Sequence, residues 1–311
     1  MERMLSHIRN RSFLHEASLI GPWLILSILY ISGIRIPDLL QYIIFLISMI
    51  AMGIPHGALD HLVEKKNKES AGNAFSIAHF LFFYILRMLI FALVWIISPL
   101  LALIIFLGIS ALHFGETDLY DTSVSTFLYG TGLLFFLLTA HVEFVSPIIR
   151  SIPTLTSFDP SELVRYKLPL LIFSSILPII MILIHSKPMD IKLKLVLRTS
   201  IILFLMYNLP LLLAFTFYFG CWHSIRSMDF IRQHLSVNQE KMSWNTLCKK
   251  ALPFTAIAIL FILILGYVLY NMFGMSITLM SLFIGVAILT APHLSVMSDM
   301  YTQLKKASSI R

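Results

Sequence analysis

The sequence predicts an all-α fold, a polytopic integral membrane bundle of roughly eight to ten segments, as a single transmembrane helical domain over residues 1–311. Three observations carry this. Of the 311 residues, 58% are hydrophobic and only 13% are charged, whereas a soluble domain carries about a quarter charged residues. Mean hydropathy is +0.86. Several stretches run about 18 residues or more with few charges, the length a helix needs to cross hydrocarbon.

In chain order the apolar runs are 17–33, 38–55, 74–97, 99–115, 123–145, 168–185, 193–222, 252–272 and 277–297. The first follows a basic lead-in (Arg3, Arg9, Arg11) with no convincing cleavage site, so it reads as a retained span. The second ends in Gly53-Ile54-Pro55-His56-Gly57-Ala58-Leu59-Asp60-His61. Ser98-Pro99 separates the third run from the fourth, and Asn208-Leu209-Pro210 interrupts 193–222. Asn271 to Ser276 reads as a short turn between the last two runs. The longest polar connections are 146–167 and 224–251. Cys221 and Cys248 form no CxxC pattern, so neither a disulfide framework nor a structural zinc site is indicated.

The net charge of +7 is distributed as a topology signal, not as a nucleic-acid surface. Lys65, Lys66 and Lys68, then Lys187, Lys192 and Lys194, then Arg226, Arg232, Lys241, Lys249 and Lys250, and finally Lys305, Lys306 and Arg311 all lie between or beyond apolar runs. Cytoplasmic loops are marked in this way, and their partner would be anionic lipid. No aromatic-plus-basic groove pattern accompanies them, so no nucleic-acid partner is expected. The expected location is the inner (plasma) membrane, multi-pass, with both termini cytoplasmic. Counted literally, however, the runs put 224–251 and the C-terminus outside. A broken or re-entrant helix over 193–222 is the foremost explanation, and 123–145 and 168–185 are the others. An even crossing count satisfies the charge rule and also gathers the histidine cluster near one membrane face.

Ionisable groups beside hydrocarbon are functional hypotheses by default. Among the eleven histidines, His7 and His15 read as solvated, His141 and His185 as interfacial, and His234 as solvent-facing in a charged loop. His79 reads as packed and hydrogen-bonded, or else as lining the site. Five have more telling neighbours. His56 has Asp60 at i+4, where the carboxylate could orient the imidazole. His61 stands about 140° around a regular helix from His56, so both face one metal only if Pro55 and Gly57 relax the helix. His113 opens His113-Phe114-Gly115-Glu116-Thr117-Asp118, with two carboxylates close by. His223 stands in Cys221-Trp222-His223-Ser224-Ile225-Arg226, and His293 follows Pro292 as His56 follows Pro55. Converging neutral imidazoles suit a first-row transition metal, with zinc, copper, iron and nickel all open by ligand type. A proton relay or polar contacts between helices are the competing readings. The 24 Phe, 15 Met and 11 Tyr could line a tunnel for an apolar substrate or simply face lipid.

These motifs, in this order, resemble the Brp/Blh family of membrane-bound β-carotene 15,15'-dioxygenases over about residues 17 to 300. The Pro-His-Gly-Ala-Leu-Asp-His run is the most specific of them. The resemblance implies cleavage of the central double bond of β-carotene with dioxygen to two retinal molecules. It implies Fe(2+) as cofactor, with His56, His113 and His223 matching the inferred ligands, and a functional link to a microbial rhodopsin through retinal. Family members often carry a second histidine one turn after the Trp-His-Ser block, where this chain has Ser227. His293 is the preferred further ligand, with His61 second, while Asp60, Glu116 and Asp118 are expected to orient ligands. The rival readings are a non-haem iron desaturase or hydroxylase acting on a lipid or carotenoid, and a metal or proton transporter. The first would show HxxxH and HxxHH boxes, which this chain lacks. The second would favour ionisable residues deep within spans.

Overall fold

The computed structural model describes residues 13–119, 121–150, 162–185, 188–236 and 242–309, and among these every regular element is helical. Five helices are long and apolar enough to cross a membrane by length and composition: Asp38–Ser70, Ile77–Ile97, Pro99–Leu119, Lys167–Ile184 and Trp244–Met272. In chain order the elements are α1 (Phe13–Ile31), α2 (Asp38–Ser48), α3 (Ile54–Gly57), α4 (Asp60–Ser70), α5 (Ile77–Ile97), α6 (Pro99–Leu119) and α7 (Val124–Ala140). Then come α8 (Val142–Arg150), α9 (Glu162–Arg165), α10 (Lys167–Ile184), α11 (Met189–Asn208), α12 (Leu211–Phe215), α13 (Ser224–His234) and α14 (Trp244–Ser309). Two π-helical turns, Met49–Gly53 and Thr216–His223, join α2 to α3 and α12 to α13.

The breaks have local causes. Ser98, before Pro99, leaves helical geometry (φ −148°, ψ 84°) and turns the chain from α5 into α6, because a proline disfavours the α region in the residue before it. The same effect holds Leu209 extended (φ −82°, ψ 149°) before Pro210. The run 193–222 is therefore not one span: α11 ends at Asn208, whose side-chain amide donates to the Phe204 carbonyl, and a second helical stretch starts at Leu211. Gly33 adopts φ +89° between α1 and α2, a conformation that costs glycine no steric penalty.

α14 departs from the expected turn at Asn271 to Ser276, since its helical pattern runs unbroken from Trp244 to Ser309. The Phe254 ring lies 4.4 Å from that of His61, while His293 bonds the adjacent Asp60. In a straight helix these two positions would stand about 58 Å apart. The element therefore doubles back between them into two arms.

Contacts fix the helix directions. Phe45 meets Phe215, Ser48 meets Cys221 and His56 meets His223, so α2–α3 and α12–α13 run parallel. Phe230 meets Tyr301, while Asp60 meets His293 and Asn67 meets Gln303, which aligns the second arm of α14 with both. Glu116–Ser298 and Thr117–Tyr301 contacts tie α6 to that arm, and Ala102 and Ala287 share one apolar cluster farther back. α7 runs antiparallel to α6 at backbone contact. A side chain on Gly130 would overlap the Ala111 carbonyl, and one on Gly115 would overlap the Thr126 carbonyl, an approach that small residues permit between apolar helices.

Candidate metal centre

His56, His113, His223 and His293 come from the four parallel stretches and meet at the centre of the bundle. Ring centroids are 4.8 Å apart for His56–His293, 5.3 Å for His113–His293, 4.7 Å for His113–His223 and 5.7 Å for His56–His223. His56, His113 and His293 each offer a nitrogen within 4.8 Å of the others, a spacing that one ion could bridge. His113, His223 and His293 are buried. The helices continue past each histidine, to Ser70, Leu119, His234 and Ser309. The site thus sits among helices and not at their termini.

Both π-helical turns lead directly to a cluster histidine. Pro55 has no N–H to donate, and just before it the Ile54 N–H reaches back five residues to the Met49 carbonyl. The second turn ends on His223 itself. Such turns concentrate at functional sites because they re-aim the following side chains. They also pack together, with Gly220 lying against Ser48 and the Met49 side chain. Nothing in the apolar pattern announced either turn.

Polar partners sort the remaining residues. Asp60 does not orient His56: its Oδ1 lies 2.7 Å from His293 Nδ1, and its Oδ2 accepts from Tyr84 at 2.8 Å. His61 packs on Phe254 outside the cluster. Ser227 Oγ lies 3.4 Å from His223 Nε2. Glu116 accepts from Ser298 at 2.9 Å through Oε1. It lines, with His113, Leu112 and Leu294, a mostly apolar cleft of about 180 Å³ between α6 and the second arm of α14. Asp118 accepts from Tyr218 at 3.1 Å and Trp222 at 3.0 Å and pairs with Arg226 at 3.4 Å. Arg198 donates to the Asp118 carbonyl at 2.6 Å, and Glu16 lies 3.9 Å from Arg198 and 3.8 Å from Arg226. Two acids and two bases thus balance, as buried charges must. The network ties α1, α6, α11 and α13 around the cluster, and Asp118 serves it without touching a cluster ring.

The other histidines depart from expectation in instructive ways. His234 is buried, not solvent-facing. His141 is buried with Nε2 2.8 Å from the Met206 carbonyl, and His185 pairs with Asp121 at 3.1 Å. That contact, with Lys305 at 2.7 Å, holds the Asp121 carboxyl well below its ordinary range. His79 is exposed, with its ring on Phe83, and does not reach the cluster. His7 and the His15 side chain lie outside the described residues.

The donor set suits a metal. Neither nitrogen of buried His113 has a hydrogen-bond partner, nor has Nε2 of His293. Orphaned polar atoms away from water are costly, and an ion held by one nitrogen of His113 and by Nε2 of His293 would relieve two of the three. Fold and site therefore define a helical membrane protein with a buried histidine site compatible with a metal ion. The family described as Beta-carotene 15,15'-dioxygenase matches residues 47–301, a region that contains all four histidines. The chain belongs to that family and is a carotenoid dioxygenase. A similar protein, the Beta-carotene 15,15'-dioxygenase of uncultured marine bacterium 66A03, is 29% identical over 264 residues, covering 79% of this chain and 89% of its own length. No solved structure matches.

Proposed function

We propose that this chain cleaves the central double bond of β-carotene with dioxygen, yielding two molecules of retinal, at Fe(2+) held by His56, His113 and His293 with His223 beside them. The observation that carries this reading is the convergence of four imidazoles, with orphaned ring nitrogens on His113 and His293, inside a carotenoid dioxygenase. Iron would supply the dioxygen chemistry, which belongs to the cofactor. Neutral imidazoles leave its positive charge intact and suit it by ligand type.

The chain's own residues position and exclude. Phe114 lies 4.8 Å from Phe219 and 4.7 Å from His223, and Phe219 stacks on Phe215 at 4.3 Å, walling one side of the cluster with apolar surface. The cleft lined by Ile109, Leu112, Ala291 and Leu294 supports entry of an apolar polyene directly from lipid. Residues Phe114 to Leu119 of α6 are all buried, which keeps bulk water from that stretch. Ten helical segments, an even count, would place both termini and the basic loops on the cytoplasmic side of the inner membrane. The whole chain then acts as one transmembrane domain. Its retinal would serve a microbial rhodopsin. Family membership displaces the transporter reading, and no observation favours desaturation.

His56→Ala and His113→Ala should each abolish both iron content in purified protein and retinal formation in cells making β-carotene. Full iron and full retinal in either variant would overturn the proposal, as would accumulation of hydroxylated or desaturated carotenoid in place of retinal.

A further inference from the structure

We infer that Asp60 and Tyr84 form a positioning relay that fixes His293 as a metal ligand through Nε2, an inference that rests on the histidine centre proposed above. Three helices meet here: α4 supplies Asp60, α5 supplies Tyr84 and the second arm of α14 supplies His293. The hydrogen bonds form one chain, Tyr84 Oη to Asp60 Oδ2 at 2.8 Å and His293 Nδ1 to Asp60 Oδ1 at 2.7 Å. Asp60 is 3% exposed and His293 5%, so water does not substitute for either partner. Both carboxylate oxygens are engaged, and the one unsatisfied atom of the chain is His293 Nε2, close to His56 and His113 nitrogens.

The tautomer follows from this arrangement. A carboxylate accepts only, so Nδ1 carries the proton and Nε2 carries the lone pair. A doubly protonated ring would instead aim an N–H at a position with no acceptor. Carboxylates that accept from the remote nitrogen of a ligating histidine fix its orientation and raise its basicity. Gly57 contributes the space: a Cβ there would already touch His293 Nδ1 at 3.9 Å, and anything longer would push the ring. Tyr84 has no such partner except Asp60, and its role is to stop the carboxylate from rotating away from the imidazole.

Ferrous-ion affinity of the detergent-purified apoprotein, titrated without oxygen against a chelator, tests the relay directly. Asp60→Asn can still accept from Nδ1 but removes the charge, and should weaken binding roughly 10–100-fold with the unfolding midpoint little changed. Tyr84→Phe should weaken it less, and in the Asp60→Asn background should add almost nothing, because the two act through one ring. A purely structural ion pair would show the reverse, with lower melting temperature and unchanged affinity, and that result would overturn the inference. Wild-type affinity in His293→Ala would also overturn it, while leaving the proposed reaction standing so long as His56→Ala and His113→Ala lose iron. Should those two keep their iron, the reaction itself falls.

Discussion

At the scale of single residues, position in the chain pointed to the clustered histidines better than to their partners. His56, His113, His223 and His293 stood out because each closes an apolar run beside other polar residues, a costly placement. Asp60 also stood out, but i+4 spacing pointed to His56, whereas the carboxylate reaches across to another helix. Tyr84 left no signal, since one tyrosine in an apolar span is ordinary until its hydroxyl finds a buried carboxylate. His234 shows the converse error, because a histidine in a charged loop reads as solvated until α13 packs it inside. Burial, and next the positive charge of Lys66, pull its imidazole down from 6.5 to about 4. Between those values the unfolded chain holds a proton that the folded chain does not. Stability therefore rises with pH in this window and is lost as pH falls from about 6.5 towards 4, by about 3 kcal/mol at most. His234→Gln should make the unfolding midpoint of the purified protein less sensitive to pH between 7 and 5. Equal slopes in variant and wild type would refute this origin.

At the scale of elements, composition revealed which stretches are helical, and prolines revealed most of the breaks. Hydropathy averages over windows and cannot register a single wide turn, so the π-helical segments before Pro55 and at His223 were invisible. Nor could it show how closely two helices approach. Gly108 and Gly130 look alike in sequence, each a glycine in an apolar run, yet they are physically opposite. Around a Cβ at Gly108 there is open space, while at Gly130 it would enter the Ala111 carbonyl. Gly108→Ala should therefore leave stability unchanged or raise it by up to about 1 kcal/mol through helix propensity. Gly130→Ala should cost about 1–3 kcal/mol as an overpacked contact and lower retinal formation, because α6 displaced from α7 carries His113 with it. Thermal unfolding and product yield of the two variants decide the matter, and equal behaviour would show that the close approach is not maintained.

At the scale of the whole molecule, charge and histidine placement both asked for an even crossing count from sequence alone, and the break at Asn208-Leu209-Pro210 divides the run 193–222 into two helical stretches. The reversal read from the sequence between the last two runs agrees with α14 doubling back between Phe254 and His293; what the sequence did not show is that the helical pattern continues through it. The basic residues now fall into a spatial pattern. Contacts among Asp121, His185 and Lys305, and between Asn67 and Gln303, gather one end of the bundle. To that end belong Lys65, Lys66 and Lys68 of α4, Lys192 and Lys194 of α11, Arg232, and Lys249 and Lys250 of α14. The opposite end carries Arg35 at the α1–α2 corner and Arg150, Arg165 and Lys167 in the connection from α7 to α10, fewer than the first end. In the proposed topology the first end, richer in Lys and Arg, would be the cytoplasmic one, and the four parallel stretches run towards it. With Cys221 and Cys248 replaced by serine, Ser32→Cys should react with a membrane-impermeant maleimide in intact cells. Ser70→Cys and Ser243→Cys should react only in inside-out vesicles. Because Ser70 and Ser243 are separated by α5, α6, α7, α10, α11 and the α12–α13 stretch, their appearance on one side requires an even number of crossings between them. Labelling on opposite sides would mean that an odd number of those six cross the membrane and would overturn the even count.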